Sequence, residues 1–166
     1  MPYRFLHRPR GGDAAGLTAK RNFVELIQAE AGDIDITRED VLVSVGCGIG
    51  DKENIELVEE LAKARGAAMS CSRPILDAKW LDNGRQVGTS GKTVKPKVYL
   101  ALGISGSFQH LGGIKGNPFL IAVNRNPKAP IFQVATVGIV ADLLELLPVL
   151  TEKIIFPASR ERVKRF

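Results

Sequence analysis

From residue 41 onward, short apolar runs alternate with segments of helical periodicity. Val41–Val45 is an apolar, β-branched run that ends at Gly46, a pattern typical of a strand buried in a parallel sheet. Comparable runs later in the chain predict four further strands. These strands are predicted at Ala67–Cys71, Lys97–Gly103, Phe119–Val123 and Ile131–Ala135.

Two helices are predicted among these strands. The first extends from Asp51, a residue type that can cap a helix, to Arg65, and Gly66 is its stop. The second is predicted at Gly138–Leu147, and Pro148 marks its end or a kink. Strands that alternate with helices and Gly-rich turns imply right-handed βαβ units, a mostly parallel sheet and an α/β domain.

The regions on either side of this domain have a different character. Residues 1–17 are punctuated by Gly and Pro and are predicted to be irregular, whereas a helix is predicted to start at Thr18 and to stop at Gly32. We therefore divide the chain into an N-terminal arm and helix at residues 1–40, an α/β domain at 41–150 and a basic C-terminal tail at 151–166.

Composition agrees with a globular domain and adds a basic charge. Hydrophobic residues make up 45% and charged residues 25% of the 166 residues, which are ordinary values. The formal net charge is +5, and much of the excess lies at the two ends of the chain. Solvated tails explain this charge better than a docking face for an acidic partner. We expect no nucleic-acid partner.

Several classes of site are not indicated by the sequence. Cys47 and Cys71 belong to no CxxC motif, and His7 and His110 add no metal-ligand spacing, so we predict no zinc site and no structural disulfide. A reducing compartment is the default for such a chain. No segment has the apolar length needed to span a bilayer, and residues 1–10 lack the apolar region of a secretory signal. We expect no membrane insertion.

Ligands of parallel α/β sheets bind beyond the carboxyl ends of the strands, near a change in strand order. The loops that follow the predicted strands are therefore the places to look for chemistry. These loops come after Val45, Cys71, Leu102, Val123 and Ala135.

The loops after the first two strands carry weak signals. Gly46–Gly50 could bring backbone amides to a phosphate, but its glycines do not follow the GxGxxG spacing, so a simple tight turn explains it equally well. In the second loop, Pro74 is expected to restrict Arg73 to extended geometry. Arg73 could face an anionic ligand there or lie on the surface.

Two later stretches are richer in polar groups. Gln86–Thr93 carries two glycines and three hydroxyls, which offer donors to ring nitrogens, carbonyls or phosphates. Gly103–His110 contains a turn whose amides can point outward, and His110 there is either a structural or a functional residue. Asn124 as a turn residue and Asp142 as a charge at a helix start each have a structural explanation when taken singly.

Taken together, these segments form an ordered set of motifs. The set comprises Ser72-Arg73-Pro74, Asp77, Trp80, Gln86-Val87-Gly88, Gly91-Lys92, Pro96, Tyr99, Gly103-Ile104-Ser105-Gly106, Gln109-His110, Ala122-Val123-Asn124, Ala129-Pro130-Ile131-Phe132, Gly138-Ile139-Val140 and Asp142. From about Val41 to Leu150, the chain thereby resembles the C-terminal FAD-binding domain of the α subunits of electron transfer flavoproteins.

The resemblance implies a Rossmann-like three-layer domain that binds FAD and passes electrons from flavin dehydrogenases to an acceptor oxidoreductase, together with an electron transfer flavoprotein β subunit. It implies an electron carrier rather than a substrate-converting enzyme, located in the cytoplasm of a prokaryote or the mitochondrial matrix of a eukaryote. It assigns no catalytic and no metal-binding residue. The cofactor-binding residues that it implies are Ser72, Arg73, Val87, Gly88, Thr89, Ser90, Ser105, Gly106, Ser107, Phe108, Gln109, His110, Asn124, Asp142 and Leu143.

The resemblance also implies roles for these residues. Ser72 and Arg73 would contact the flavin, and Arg73 would raise its reduction potential by favouring negative charge on the reduced ring. The loop Val87–Ser90 would hold the isoalloxazine with the Ser90 hydroxyl near N5, and His110 would lie near O2 and stabilise negative charge there. The adenosine end would be held by Asn124, Asp142 and Leu143.

Three positions depart from the family pattern. Cys47 stands where the family usually has Arg in the first glycine turn, which predicts weaker binding of the diphosphate. Thr89-Ser90 replaces the usual Gln-Thr but keeps a hydroxyl, and Thr136 replaces the usual Asp. The alternative left open is a nucleotide-binding module for AMP or NAD that has a regulatory or interaction role and no redox activity.

Overall fold

A computed structural model of the protein describes residues 34–155. Its five strands form one sheet in the order β2-β1-β3-β4-β5, and every neighbouring pair is parallel. The predicted parallel α/β architecture is therefore confirmed. The strands are β1 at Val41–Val45, β2 at Ala68–Cys71, β3 at Val98–Leu102, β4 at Phe119–Asn124 and β5 at Val137–Val140.

Four helices accompany the sheet within residues 34–155. They are α1 at Ile55–Arg65, α2 at Arg73–Asp77, α3 at Phe108–Gly112 and α4 at Leu143–Ile155. A short 3-10 turn at Lys52–Asn54 precedes α1, and the Asp51 side chain makes no cap hydrogen bond there. Gly66 ends α1 in the left-handed conformation with φ 65°, as its position after the last apolar residues predicts. No helix of this part of the chain is long and apolar enough to cross a membrane.

The two faces of the sheet are covered differently. On one face, the buried side of α1 and the buried side of α4 pack against alternate residues of the strands, with Val43 and Leu102 among those fully buried. The other face is covered mainly by loops, which contribute Val87, Val94 and Ile131 to a second core cluster. The helices, the sheet and the loops form three layers. The apolar surface buried between them holds the loops at the carboxyl edge of the sheet in place.

The strand order changes direction between β1 and β3, and the loops after these two strands pack directly on each other. The Gly48 amide donates a hydrogen bond of 3.0 Å to the Gly103 carbonyl. A β-carbon at Gly48 would lie 2.6 Å from Gly103 Cα, so only glycine permits this approach. The Gly46–Gly50 segment is therefore a tight turn that packs on the loop after β3, and the topological switch point lies where these two loops meet.

Two elements near the end of the domain differ from the sequence predictions. Ile131–Ala135, predicted as the fifth strand, instead contains most of a 3-10 turn at Pro130–Gln133. The fifth strand is instead β5, which occupies the start of the helix predicted at Gly138–Leu147, so that prediction was wrong at its start. The fifth loop at the carboxyl edge of the sheet therefore follows Val140 rather than Ala135.

Other predictions fall at the limits of the described residues. The helix predicted to start at Thr18 lies outside residues 34–155, as do residues 156–166 of the basic tail. Pro148 lies within α4, and α4 continues through residue 150 to Ile155. The division of the chain at residues 40 and 150 stays a prediction.

Candidate functional site

A cleft of about 390 Å³ lies at the carboxyl ends of β1, β2 and β3, where a ligand of a parallel sheet is expected. The loops after these strands form its walls, together with the polar stretch that follows residue 85. Ten of the residues predicted from the sequence line it. They are Ser72, Arg73, Val87, Gly88, Thr89, Ser90, Ser105, Ser107, Gln109 and His110.

Backbone hydrogen bonds fix the polar stretch between β2 and α3. The Val87 amide donates to the Cys71 carbonyl at 2.9 Å, which ties the start of the stretch to the end of β2. The Thr89 amide donates to the Gln109 carbonyl, also at 2.9 Å. Because main-chain bonds hold the stretch at Val87 and Thr89, its side chains occupy defined positions along one wall of the cleft.

Two neighbouring side chains donate hydrogen bonds to the Ser90 hydroxyl oxygen in the cleft wall. Gln86 Nε2 donates to Ser90 Oγ at 3.0 Å, and Arg73 Nη1 donates to the same oxygen in a longer bond of 3.4 Å. A serine oxygen that accepts two hydrogen bonds keeps its own proton for a third partner. Ser90 is therefore arranged to donate to an acceptor in the cleft.

Arg73 places a positive charge at the cleft wall. Its Nε lies 3.5 Å from Asp77 Oδ2, and both side chains are more than half exposed, so this ion pair contributes little to stability.

The expectation that Pro74 holds Arg73 extended was wrong. Arg73 is the first residue of α2, where a proline at the next position is tolerated, and Ser72 before it is extended. Asp77 also lines the cleft, and its spacing of four from Arg73 could have indicated the pair.

His110 is buried in the wall of the cleft, with only 4% of its surface exposed. Burial lowers the pKa of His110 to about 4, while the backbone of Val87 acts weakly in the opposite direction. The ring is therefore neutral near pH 7. Its Nε2 lies 2.9 Å from the Tyr99 hydroxyl, and its Nδ1 has no hydrogen-bond partner among residues 34–155.

Comparison with known proteins places this geometry in a family. Residues 35–115 match the family profile described as the electron transfer flavoprotein FAD-binding domain. The electron transfer flavoprotein subunit alpha of Methylophilus methylotrophus is 48% identical over 136 residues, which are 81% of this chain and 42% of that protein. The matched part of the chain belongs to the FAD-binding domain family of electron transfer flavoproteins.

Other relatives show how the family varies. Protein FixB of Azorhizobium caulinodans is 46% identical over 127 residues, or 75% of this chain and 34% of that protein. The lactate dehydrogenase (NAD(+),ferredoxin) subunit LctC of Acetobacterium woodii is 40% identical over 149 residues, or 90% and 35%. The chain thus spans between about a third and about two fifths of the length of these curated relatives.

Five of the residues that the family resemblance implies lie outside the cleft lining, and two of these are Gly106 and Phe108. Gly106 has φ 89°, and a β-carbon there would lie 2.6 Å from Ile131 Cα and closer still to the Ile131 nitrogen. This glycine therefore allows the loop after β3 to pack against the 3-10 turn. Phe108 opens α3 and is 77% exposed.

The remaining three predicted residues of this electron transfer flavoprotein domain lie at the ends of β4 and β5. Asn124 Nδ2 donates to the Ile104 carbonyl at 3.0 Å, which ties the end of β4 to a cleft-lining residue. Asp142 Oδ1 accepts a hydrogen bond of 2.9 Å from the Leu144 amide, and Asp142 forms an ion pair with Arg125. Leu143 is buried and packs beside Gly103.

Six residues line the cleft that the sequence assignment did not include. Cys47 was noted only as a departure from the family, and Gln86 only as the start of the polar stretch. Of the other four, only Asp77 has a distinctive side chain. The remaining three line the cleft because of their position after a strand or turn. The six are Cys47, Pro74, Asp77, Gln86, Gly103 and Ile104. Within residues 34–155, no cluster of His, Cys, Asp or Glu could hold a metal ion.

Proposed function

We propose that this chain binds FAD with the isoalloxazine in the cleft and acts as the flavin domain of an electron carrier. The observation that carries this proposal is the convergence of hydrogen-bond donors on one cleft. The free proton of Ser90, the guanidinium of Arg73 and the neutral ring of His110 all belong to its walls. The match of residues 35–115 to an FAD-binding domain supports the same ligand.

The chemistry of the donor set fits a flavin. The isoalloxazine presents a row of acceptors, N1, O2, O4 and N5, along its polar edge, and donors in fixed positions recognise such an edge. Arg73 carries a full charge and therefore favours the reduced ring, on which negative charge accumulates. His110 is neutral near pH 7 and can act there as a polar group that adds no charge.

FAD, when bound, supplies the one- and two-electron chemistry of the carrier. The residues of this chain orient the ring, exclude water from one side of it and set the charge around it. Gln86 is buried and holds the Ser90 hydroxyl in place, so the donor that we assign to N5 is fixed before the ligand arrives.

A cleft of about 390 Å³ suits the ring system better than the whole dinucleotide. We therefore infer that the adenosine end extends past Ile104 toward the carboxyl ends of β4 and β5. Asn124, Asp142 and Leu143 are the residues that we assign to this end. In this arrangement Gly106, and Phe108 at the start of α3, lie between the two halves of the cofactor.

The partners follow from the family rather than from the cleft. We propose a β subunit of an electron transfer flavoprotein as the direct partner, with flavin dehydrogenases as electron donors and an oxidoreductase as acceptor. The function proposed is that of a carrier and not of a substrate-converting enzyme, although one relative is named as a subunit of a lactate dehydrogenase.

Electron transfer by the reconstituted chain tests this function. The full chain is incubated with FAD, separated from unbound FAD and reduced with dithionite, and its reoxidation by a one-electron acceptor is followed at the flavin absorbance. We expect bound flavin that cycles repeatedly between its oxidised and reduced forms. Binding of AMP or NAD in parallel samples, without binding of FAD, would contradict the proposal and favour a nucleotide-binding module.

A further inference from the structure

Behind the cleft, three polar side chains lie in an otherwise apolar layer of the sheet. Ser44 and Ser70 are register partners on β1 and β2, and Tyr99 lies on the neighbouring strand β3. All three are fully buried. Buried polar groups are costly unless they form hydrogen bonds, so their partners matter. The Tyr99 hydroxyl reaches His110 Nε2 at 2.9 Å, in the wall of the cleft.

The surroundings of Tyr99 decide the direction of this hydrogen bond. Burial raises the pKa of Tyr99 well above its ordinary value, so the hydroxyl keeps its proton. The Ser44 and Ser70 hydroxyls lie in the same layer, but the Tyr99 hydroxyl has no hydrogen-bond partner among residues 34–155 other than His110 Nε2. Neither serine oxygen forms a hydrogen bond within residues 34–155. The close acceptor that remains for the Tyr99 proton is His110 Nε2.

The other side of the imidazole agrees with this direction. A neutral histidine whose Nε2 accepts must carry its hydrogen on Nδ1. His110 Nδ1 is buried and no donor among residues 34–155 reaches it, so nothing in this part of the chain requires Nδ1 to be the acceptor nitrogen.

We propose that Tyr99 is a positioning residue that fixes the imidazole of His110 with its hydrogen on Nδ1. Tyr99 does not line the cleft and acts through His110 alone. The Nδ1 hydrogen then lies on the ring nitrogen that does not contact Tyr99, so Tyr99 determines which nitrogen of His110 is protonated. The tautomer itself does not depend on the proposed binding of FAD, and only its use for the flavin rests on that function.

Nitrogen NMR of the full chain with ¹⁵N-labelled histidine tests the proposal without any ligand. The chain contains two histidines, His7 and His110, and a His7→Gln variant assigns their signals. Near pH 7 we expect His110 to show a protonated Nδ1 and an unprotonated Nε2. A protonated Nε2 in the wild-type chain would overturn the proposal.

Tyr99→Phe shows whether the hydroxyl sets the tautomer. Loss of the hydrogen bond is expected to change the ratio of the two His110 tautomers about fivefold or more toward the Nε2–H form. Thr136→Val is the matched control, because it removes a hydroxyl that accepts from the amide of Leu120, the register partner of Tyr99 on β4, and leaves the Tyr99 hydroxyl in place. An unchanged ratio in folded Tyr99→Phe also overturns the proposal. If that variant does not fold, the wild-type tautomer remains the deciding result.

Discussion

Gln86 Nε2 donates a hydrogen bond of 3.0 Å to Ser90 Oγ, four residues later in the same stretch. Gln86 is almost completely buried, so this bond fixes the serine from beneath while Ser90 itself faces the cleft. The hydrogen bond between Gln86 and Ser90 explains how the stretch Gln86–Thr93, in which most residues are polar, holds a defined shape. It also makes Ser90 the side chain whose removal most cleanly tests the proposed ring site.

Ser90→Ala is expected to weaken FAD binding about tenfold, or about 1.4 kcal/mol. The variant removes the donor assigned to the flavin and leaves the Gln86 amide without its partner. Ser90→Thr keeps the hydroxyl and is expected to bind nearly as the wild type does. Thr93→Ala serves as control, since Thr93 is an exposed hydroxyl residue of the same stretch outside the cleft. Titration of FAD fluorescence measures the affinities, and wild-type binding by Ser90→Ala would refute the assignment.

The charge of Arg73 is expected to set the reduction potential of the bound flavin. Arg73→Gln removes a cation and should lower the two-electron potential by on the order of 30 mV, which corresponds to about 1.4 kcal/mol. Asp77→Asn removes the anion that pairs with Arg73 and should shift the potential in the opposite direction. Potentiometric titration measures both, and equal shifts of the same sign would contradict this account.

Gly106 and Gly66 form a matched pair for testing close packing. Both have positive φ, but a β-carbon at Gly66 meets no atom within 4 Å, whereas one at Gly106 overlaps the Ile131 backbone. Gly66→Ala should cost about 1 kcal/mol of unfolding free energy, from backbone strain alone. Gly106→Ala should cost about 3 kcal/mol or more and weaken FAD binding. Urea denaturation compares the two, and equal costs would show that the contact is not maintained.

His110 is expected to make stability depend on pH in a defined window. The pKa of His110 lies near 4 in the folded chain and near 6.5 in an unfolded one, so the unfolded chain binds more protons between these values. Stability is therefore complete above about pH 6.5 and falls as the pH drops toward 4, by on the order of 3 kcal/mol in total. Urea unfolding between about pH 4.5 and 7.5 measures this loss.

His110→Gln is the control for that dependence, because it removes the titrating ring. The lowered pKa values of Asp35 and Asp142 affect stability only near or below the ordinary carboxylate value of 3.8, outside this window. We expect a much flatter profile for the variant between about pH 4.5 and 6.5. A slope equal to that of the wild type would mean that another group titrates.

The sequence predicts those parts of the fold that are determined locally. The β-branched run Val41–Val45 is a strand in the structure, and Gly66 ends α1, because both follow from the side chains and backbone preferences of the segment itself. The polar stretch and the loop after β3 also lie together as expected, since parallel strands bring their carboxyl ends to one edge.

The regions that sequence did not predict depend on distant contacts. Ile131 and Phe132 have the side chains of a strand, but Pro130 and the packing of Gly106 against Ile131 hold them in a 3-10 turn. Val137–Val140 is largely exposed and contains a glycine, and it is a strand because β4 pairs with it. The hydrogen bond between Tyr99 and His110 likewise depends on the tertiary fold.

The most direct test of the central claim is the visible spectrum of the full chain after incubation with FAD and removal of unbound ligand by gel filtration. The account predicts flavin absorbance that coelutes with the protein at about one FAD per chain and a spectrum perturbed from that of free FAD, as expected for a ring held in a polar cleft. A protein fraction without flavin absorbance, at micromolar protein and excess FAD, would contradict the claim.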